Sequence, residues 1–544
     1  MPNNQHSWSE QQEAIFVWFA TGIIVGIGIV QNLIVRARAG CAKTTSIIEG
    51  VKRSAAAHPL IKILICSFSK DITAELAEKI GNGSKDAAEH AYPNIDAKTL
   101  HAVGFACVRR FRDNIRIASG STRADNLAKA ACGTVAPDTI WKLVSKLCTK
   151  GREIAPHATQ VGELSAIAIE FECEPEEAWH NCKVCGLKRT NIVHVEPGTE
   201  YSYHEFNGFD TQYVEAMALK AMEIAANVQS GDEIDFSDML FLPVRNGWMT
   251  PIYDEVVVDE AQDMTNTQLE LARGVCKPNG RICIVGDDRQ AIYKFRGADS
   301  GALDRLKTEL NAHELGLKMT YRCGTAIVAE AQTIVPDFQA ASTNKTGVVE
   351  HIDMNALVGA AGPGDFILSR VNAPLVSIAM KLLRSGKRTR VAGRDIGSGL
   401  RSLVRKLKAR SIPELLSKIS AWEQRELVRL SAVAKTATNG RKEASKAKIE
   451  AIQDQAEMLI SLTDGAKNVT EIEERIDALF TDDGLGAAGM ITCSSVHRAK
   501  GKETSRVFVL ADTLRNNNIE EQNIAYVAVT RAKDTLVYVY DDKE

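Results

Sequence analysis

A run of nine residues, Ala37-Arg38-Ala39-Gly40-Cys41-Ala42-Lys43-Thr44-Thr45, has the types and spacing of a degenerate phosphate-binding loop. In the pattern G-x-x-x-x-G-K-[ST], backbone amides cradle phosphates, the lysine neutralises the β- and γ-phosphates, and the hydroxyl ligates Mg2+. Lys43 and Thr44 hold those two positions, and the amides from Ala39 to Thr45 would form the cradle. Ala37 and Ala42 stand where the pattern has glycine, which leaves Gly40 free to take a positive φ. A methyl group at 42 is expected to crowd the phosphates or change the loop's conformation. Cys41 is either a small filler or, at a helix N-terminus that lowers thiol pKa, an oxidation-sensitive thiol.

A second run, Val256-Val257-Val258-Asp259-Glu260-Ala261-Gln262-Asp263, is an apolar β segment ending in paired carboxylates. A parallel strand delivers its C-terminal residues to the ligand edge of a sheet. There Asp259 could hold Mg2+, directly or through water, and Glu260 could orient and deprotonate an attacking water. A third run, from Val285 to Gly297, also follows an apolar segment. Its Gln290 can hydrogen-bond both water and a γ-phosphate, and so joins Glu260 as a catalytic candidate. Phe295 beside Arg296 pairs a stacking ring with a cation, as single-strand binding needs. The phosphate loop and the paired carboxylates supply what each other lacks for hydrolysis of ATP with Mg2+.

These runs need a sheet to hold them. Residues 33–36 form a short apolar run before the phosphate loop, and a helical pattern follows the loop. The next apolar run, 61–66, leads into another helix, which is the parallel α/β alternation. The texture returns at 256–258, 282–285, 366–368 and 507–510. It stops over 106–233 and again over 397–485, where the pattern is helical and polar. The expected fold is therefore α/β, with two parallel-sheet halves each interrupted by a mainly helical insertion. The first half would span 1–105 and 234–310, and the second 311–396 and 486–544.

Composition narrows the class without deciding it. The chain is 25% charged and 45% apolar, which excludes collagen-like, coiled-coil and disordered proteins. The net charge of −3 averages unlike parts. Residues 401–450 hold 13 Lys and Arg against 5 Asp and Glu, a local +8, so the remainder sums to −11. That basic stretch is either a solvated helical face or a duplex contact. The polar N-terminus lacks the basic start of a secretory signal, and the twelve cysteines are dispersed, so a soluble cytoplasmic, reducing setting is expected. The most apolar stretch, Ile23 to Val35, is too short to span a bilayer and reads as strand–turn–strand. Cys182-Lys183-Val184-Cys185 has half the spacing of a zinc site, which Cys173 and a histidine (His180 or His194) would complete. The alternative is reduced, unligated thiols.

Taken in order, these motifs resemble those of the UvrD/Rep-type superfamily 1 DNA helicases, over roughly 1–105, 234–396 and 486–540. Gln11 resembles the family's adenine-reading glutamine, and Ser67-Phe68-Ser69-Lys70 its aromatic single-strand contact. Thr99-Leu100-His101 is similar to its threonine–aromatic–histidine element, with Leu100 in the aromatic position. Tyr321-Arg322 implies adenine stacking by Tyr321 and γ-phosphate contact by Arg322. The run from Ser495 to Glu503 implies strand contact around His497 and ribose contact by Glu503. Tyr526-Val527-Ala528-Val529-Thr530-Arg531-Ala532 implies that Arg531 is an arginine finger.

The resemblance implies two RecA-like motor domains, ATP and Mg2+ as ligands, single-stranded DNA and single-strand/duplex junctions as partners, and 3′→5′ movement. Two departures stand out: Ala42 replaces a glycine, and Asn523 replaces an arginine usual in the last motif. Three activities fit the residues: an unwinding helicase, a translocase that strips proteins from single strands, and a nucleotide-dependent clamp with weakened hydrolysis.

Overall fold

In a computed structural model the chain is described over residues 8–67, 70–83, 90–118, 122–133, 136–171, 173, 175, 179–181, 188–190, 192–195, 203–206, 210–292, 301–436, 439–480 and 489–541. Six strands form the first sheet: β1 (Leu33–Ala37), β2 (Ile63–Ser67), β3 (Ile95–Thr99), β4 (Tyr253–Val258), β5 (Cys276–Gly286) and β6 (His313–Leu317). Their spatial order is β6-β1-β5-β4-β2-β3, and every pairing is parallel. Six more form the second: β7 (Val348–Asp353), β8 (Phe366–Ser369), β9 (Thr389–Val391), β10 (Ile491–Ser495), β11 (Thr504–Leu510) and β12 (Ala532–Tyr540). They run in the order β7-β12-β11-β8-β10-β9, again all parallel.

The interior strands are apolar on both faces because both faces are covered. Along β4, Val257 packs into one core with Trp18 and Ile47 from the helices Glu10–Thr21 and Lys43–Ala57. Its neighbours Val256 and Val258 enter another, with Leu100 and Leu269. The second sheet repeats the alternation. Phe366 and Leu368 face one core, while Ile367 between them faces the other.

The two insertions differ in how they are held. Helices Thr122–Cys132, Asp138–Ile154 and Thr211–Ala226 build a core of their own, to which Phe236–Arg245 contributes Met239, Phe241 and Leu242. The helices Arg394–Leu407, Ile412–Thr436, Asn439–Thr463 and Val469–Leu479 instead share one core with the second sheet: Leu403, Ile419, Leu459 and Ile476 pack in the same cluster as Phe508 and Val537.

One expected boundary moves. The sequence pattern places the end of the first half at 310, but His313–Leu317 pairs with Leu33–Ala37 as β6. This edge strand is only partly buried along most of its length and so carries little apolar signal. The segment Ile23 to Val35 does form strand, turn and strand, with Ile23–Ile24 pairing Gly28–Ile29 before β1. No helix among the described residues is long and apolar enough to cross a membrane.

Candidate nucleotide cleft and strand-contact residues

β1, β4 and β5 end at one edge of the first sheet, and the loops that follow them carry the phosphate run, the paired carboxylates and Gln290. The phosphate loop opens the helix Lys43–Ala57, whose N-terminus has no side-chain cap. Its first-turn amides therefore keep the anion-seeking character of a helix N-terminus. Gly40 takes φ +67°, as the sequence requires. Ala42 also takes a left-handed φ, 57°. Its methyl group is held in a conformation that glycine adopts without strain, at a cost of about 1–2 kcal/mol.

Lys43 Nζ lies 2.5 Å from Glu260 Oε1 and 3.6 Å from Asp259 Oδ1. Burial alone would lower the Lys43 pKa, but the two carboxylates outweigh it and raise it above the usual lysine range. Burial pushes Asp259 up against the pull of Lys43, and the charge of Glu260 adds to the rise. Burial would raise Glu260 too, yet Lys43 and Lys500 together hold it at about 2. Glu260 also adopts a left-handed φ of 56°, which turns the chain sharply after β4. Thr44 occupies the first turn of the helix beside Lys43, and Thr45 is exposed. Gln290 Nε2 donates to Asp287 Oδ2 at 2.6 Å.

The second half closes over this edge. Tyr321 N donates to Gly40 O at 2.9 Å, and Ala39 N donates to the Tyr526 hydroxyl at 3.0 Å. Arg38, inside the phosphate loop, donates to both oxygens of Asp337 at 3.0 and 3.1 Å and also to Asp287 and Asp288. The sequence reading gave Arg38 no role, because its partners lie about 250 to 300 positions away.

Arg322 Nε ion-pairs with Glu503, and Arg322 Nη1 donates to Thr530 O at 3.3 Å. Glu503 also accepts from Lys533 at 2.9 Å, so the expected ribose contact is engaged with two cations. Arg531 is buried and donates to Val527 O, Lys502 O and Thr530 Oγ1. Burial, reinforced by the charge of Arg322, lowers it to about 10.

Gln11 Oε1 accepts from Lys318 N at 2.9 Å, just before the half-exposed Tyr321. The neighbouring Gln12, which the sequence reading passed over, is buried and donates to Ser46 Oγ at 2.9 Å. Cys41 is fully buried, and burial with the charge of Asp287 pushes its thiol up to about 12. This corrects the oxidation-sensitive reading: desolvation outweighs the helix N-terminus.

Of the strand-contact candidates, Thr99 ends β3 and caps the helix Leu100–Phe111 by accepting from Ala102 N. His101 meets the ring of Phe236 edge-on at 5.9 Å. Phe236 is 64% exposed although it opens an apolar run, which hides it from a reading of the sequence. An exposed ring beside His101 has the stacking capacity that the buried Leu100 lacks. His497 lies in the short helix Val496–Ala499, and burial together with Arg370 lowers it to about 4. Phe68, Phe295 and Arg296 lie outside the described residues, as do Cys182 and Cys185 of the zinc expectation. Cys173 is buried beside Phe171 O, and among the described residues no three metal-binding side chains cluster. The basic second insertion is partly self-neutralised, through Arg401 with Asp477, Arg405 with Glu473 and Lys418 with Glu414.

Two parallel α/β halves meeting across a phosphate loop define a two-lobed P-loop protein. A sequence model of the UvrD/REP helicase N-terminal domain matches residues 25–311, and one of the UvrD-like helicase C-terminal domain matches 490–539. The first match covers more than half of the chain, and the chain belongs to the UvrD/Rep helicase family. It is similar to a probable DNA helicase II homolog of Mycoplasma genitalium, 29% identical over 24% of this chain and 20% of that one. It is also similar to the ATP-dependent DNA helicase Rep of Escherichia coli, 31% identical over 20% of this chain and 18% of the other. The F-box DNA helicase 1 of Gallus gallus is 28% identical over 52% of this chain and 29% of its own. The matches thus span about a fifth to three-tenths of these relatives' lengths.

Proposed function

We propose that this protein is an ATP-dependent DNA helicase that moves along single-stranded DNA and unwinds duplex ahead of it. The observation that carries the reading is the contact of the phosphate loop with the arginine-bearing segment of the second half, from Gly40 to Tyr321 and Arg322. The donor set fits a nucleoside triphosphate: a lysine on an uncapped helix N-terminus, a hydroxyl next to it, two carboxylates, and two arginines from the facing half. Thr44 and Asp259 would hold Mg2+, which neutralises phosphate charge. The family membership and the relatives' names support the same reading.

In this mechanism Lys43 exchanges its carboxylate partners for the β- and γ-phosphates. Glu260, released from the Lys43 charge that helps to hold it at about 2, becomes more basic and accepts the proton of the attacking water. Gln290 orients that water. Arg322 and Arg531 stabilise transition-state charge once the halves are closed. Closing and opening then alternate the grip on the strand, with Phe68, Thr99, His101, Phe236, Phe295, Arg296 and His497 as the contacts.

Unwinding of 3′-tailed, 5′-tailed and forked duplexes with ATP tests the reading. Unwinding that needs ATP and a 3′ tail is the expected result. ATP-driven displacement of streptavidin from a biotinylated single strand, with no unwinding, would reassign the protein as a stripping translocase. DNA binding that depends on ATP without turnover would leave a clamp.

A further inference from the structure

The loop that carries Gln290 is held from across the cleft. Lys500, in the second half, donates to Gln290 O at 2.6 Å and to both oxygens of Asp263 at 2.7 Å. Its side chain is 8% exposed and that of Asp263 9%, so this is a buried pair that would be expensive to separate. Asn523, fully buried on the helix Ile519–Val529, donates through Nδ2 to Asp288 O and Ala291 O, both at 3.1 Å. Its Oδ1 has no hydrogen-bond partner among the described residues, so its grip on the loop runs through the amide nitrogen. Three carbonyls within residues 288–291 thus accept from two second-half side chains. One turn further along the same helix, Tyr526 takes the hydrogen bond from Ala39 of the phosphate loop.

These contacts exist only while the halves are together. Separation would strip the Gln290 loop of these three hydrogen bonds and part Asp263 from Lys500. We propose that Lys500 and Asn523 are positioning residues that fix the Gln290 loop only in the closed cleft, so that hydrolysis waits for closure. The inference rests on the ATP-hydrolysing reading above and adds two residues to which that reading assigns no part. Asn523 can serve where the family usually has arginine because two carbonyls at 3.1 Å need only the two protons of one amide nitrogen.

The test measures steady-state ATP hydrolysis on oligo(dT) for the wild type, Asn523→Asp, Lys500→Met and Lys500→Arg, with thermal unfolding run alongside. Asn523→Asp keeps the shape but sets a carboxylate oxygen against two carbonyls. Both it and Lys500→Met should lower kcat about tenfold to hundredfold, while KM for ATP moves less than about threefold. Lys500→Arg should recover most of the rate, since guanidinium can still donate to Asp263 and the loop carbonyl. In a Gln290→Ala background the same substitutions should change kcat by less than about twofold, because their effect passes through that residue. A hydrolysing wild type whose variants keep its kcat overturns the inference alone, as do variants that lose kcat, KM and melting temperature together. So does a full additional loss of kcat in the Gln290→Ala background. A wild type without DNA-stimulated hydrolysis overturns the reading and the inference with it.

Discussion

A methyl group built on Gly40 would sit 2.5 Å from Arg322 Cβ and 2.7 Å from Thr320 Oγ1. The phosphate loop and the segment bearing Arg322 approach so closely that only hydrogen fits between them. Gly40→Ala meets two penalties: left-handed strain of about 1–2 kcal/mol at φ +67° and a clash that pushes Arg322 off the loop. Hydrolysis should fall about a hundredfold while nucleotide binding through Lys43 survives, because the displaced group acts on the transition state. Equal losses in turnover and in binding of a fluorescent ATP analogue would place the damage in the loop alone.

Lys43→Ala should abolish DNA-stimulated hydrolysis with the circular dichroism spectrum retained. It should also move acid unfolding. Glu260 has a folded pKa of about 2 against 4.5 unperturbed, so its contribution to stability is full above pH 4.5 and is lost as pH falls through 2. Without Lys43 only Lys500 remains as a strong opposing charge, the folded pKa rises, and the acid limb of the stability curve shifts to higher pH. An unshifted acid limb would mean that the 2.5 Å contact contributes nothing to the carboxylate's environment.

His497 has the opposite origin and the same direction. Burial, then Arg370, holds it at about 4 against 6.5 unperturbed, so it is neutral at physiological pH. Its stabilising effect is present above pH 6.5 and is lost as pH falls through 4. The wild type should therefore lose stability relative to His497→Gln between pH 6.5 and 4, and strand affinity should not titrate with His497 between pH 6 and 8. An imidazole NMR titration midpoint near 6.5 would contradict this.

The sequence made the first sheet's ligand edge legible because local needs write it. Leu33–Ala37 must be apolar to be central, and Lys43 must follow a loop that can turn. Asp259 and Glu260 must end a buried strand. The partly buried edge strand His313–Leu317 and the largely exposed Val348–Asp353 escape that logic, since a strand needs a strong apolar pattern only where both faces are covered. Arg38 with Asp337, and Lys500 with Asp263, escape it for another reason. Each is an ion pair made by the docking of two halves, and no local spacing encodes which charges will face each other. Phe236 was hidden by composition, as an exposed ring among residues that are buried.

The thiol in the phosphate loop should be inert. Cys41 is 1% exposed and its thiol is pushed up to about 12, so almost none is thiolate at neutral pH. Treatment of the folded protein with N-ethylmaleimide or mild peroxide should leave Cys41 unmodified by mass spectrometry and hydrolysis unchanged. Denaturation before treatment should expose it. Modification of Cys41 in the native protein, in step with lost activity, would restore the redox-sensor reading.

Arg531 is the stringent case, because its guanidinium divides its bonds among Val527 O, Lys502 O and Thr530 Oγ1. If it acts only as a brace for the last helix, Arg531→Ala should lower melting temperature, turnover and nucleotide affinity together. If it also serves as the arginine finger, turnover should fall by about a thousandfold or more with affinity far less affected. We expect the second pattern, since burial and the charge of Arg322 already hold Arg531 at about 10, an electrostatic load that phosphate charge would relieve. Arg531→Lys separates the two roles further. An ammonium keeps the charge but not the planar fork that reaches three acceptors, so it should restore little of the turnover. Full recovery by lysine would show that charge alone matters and that the fork's three contacts are incidental.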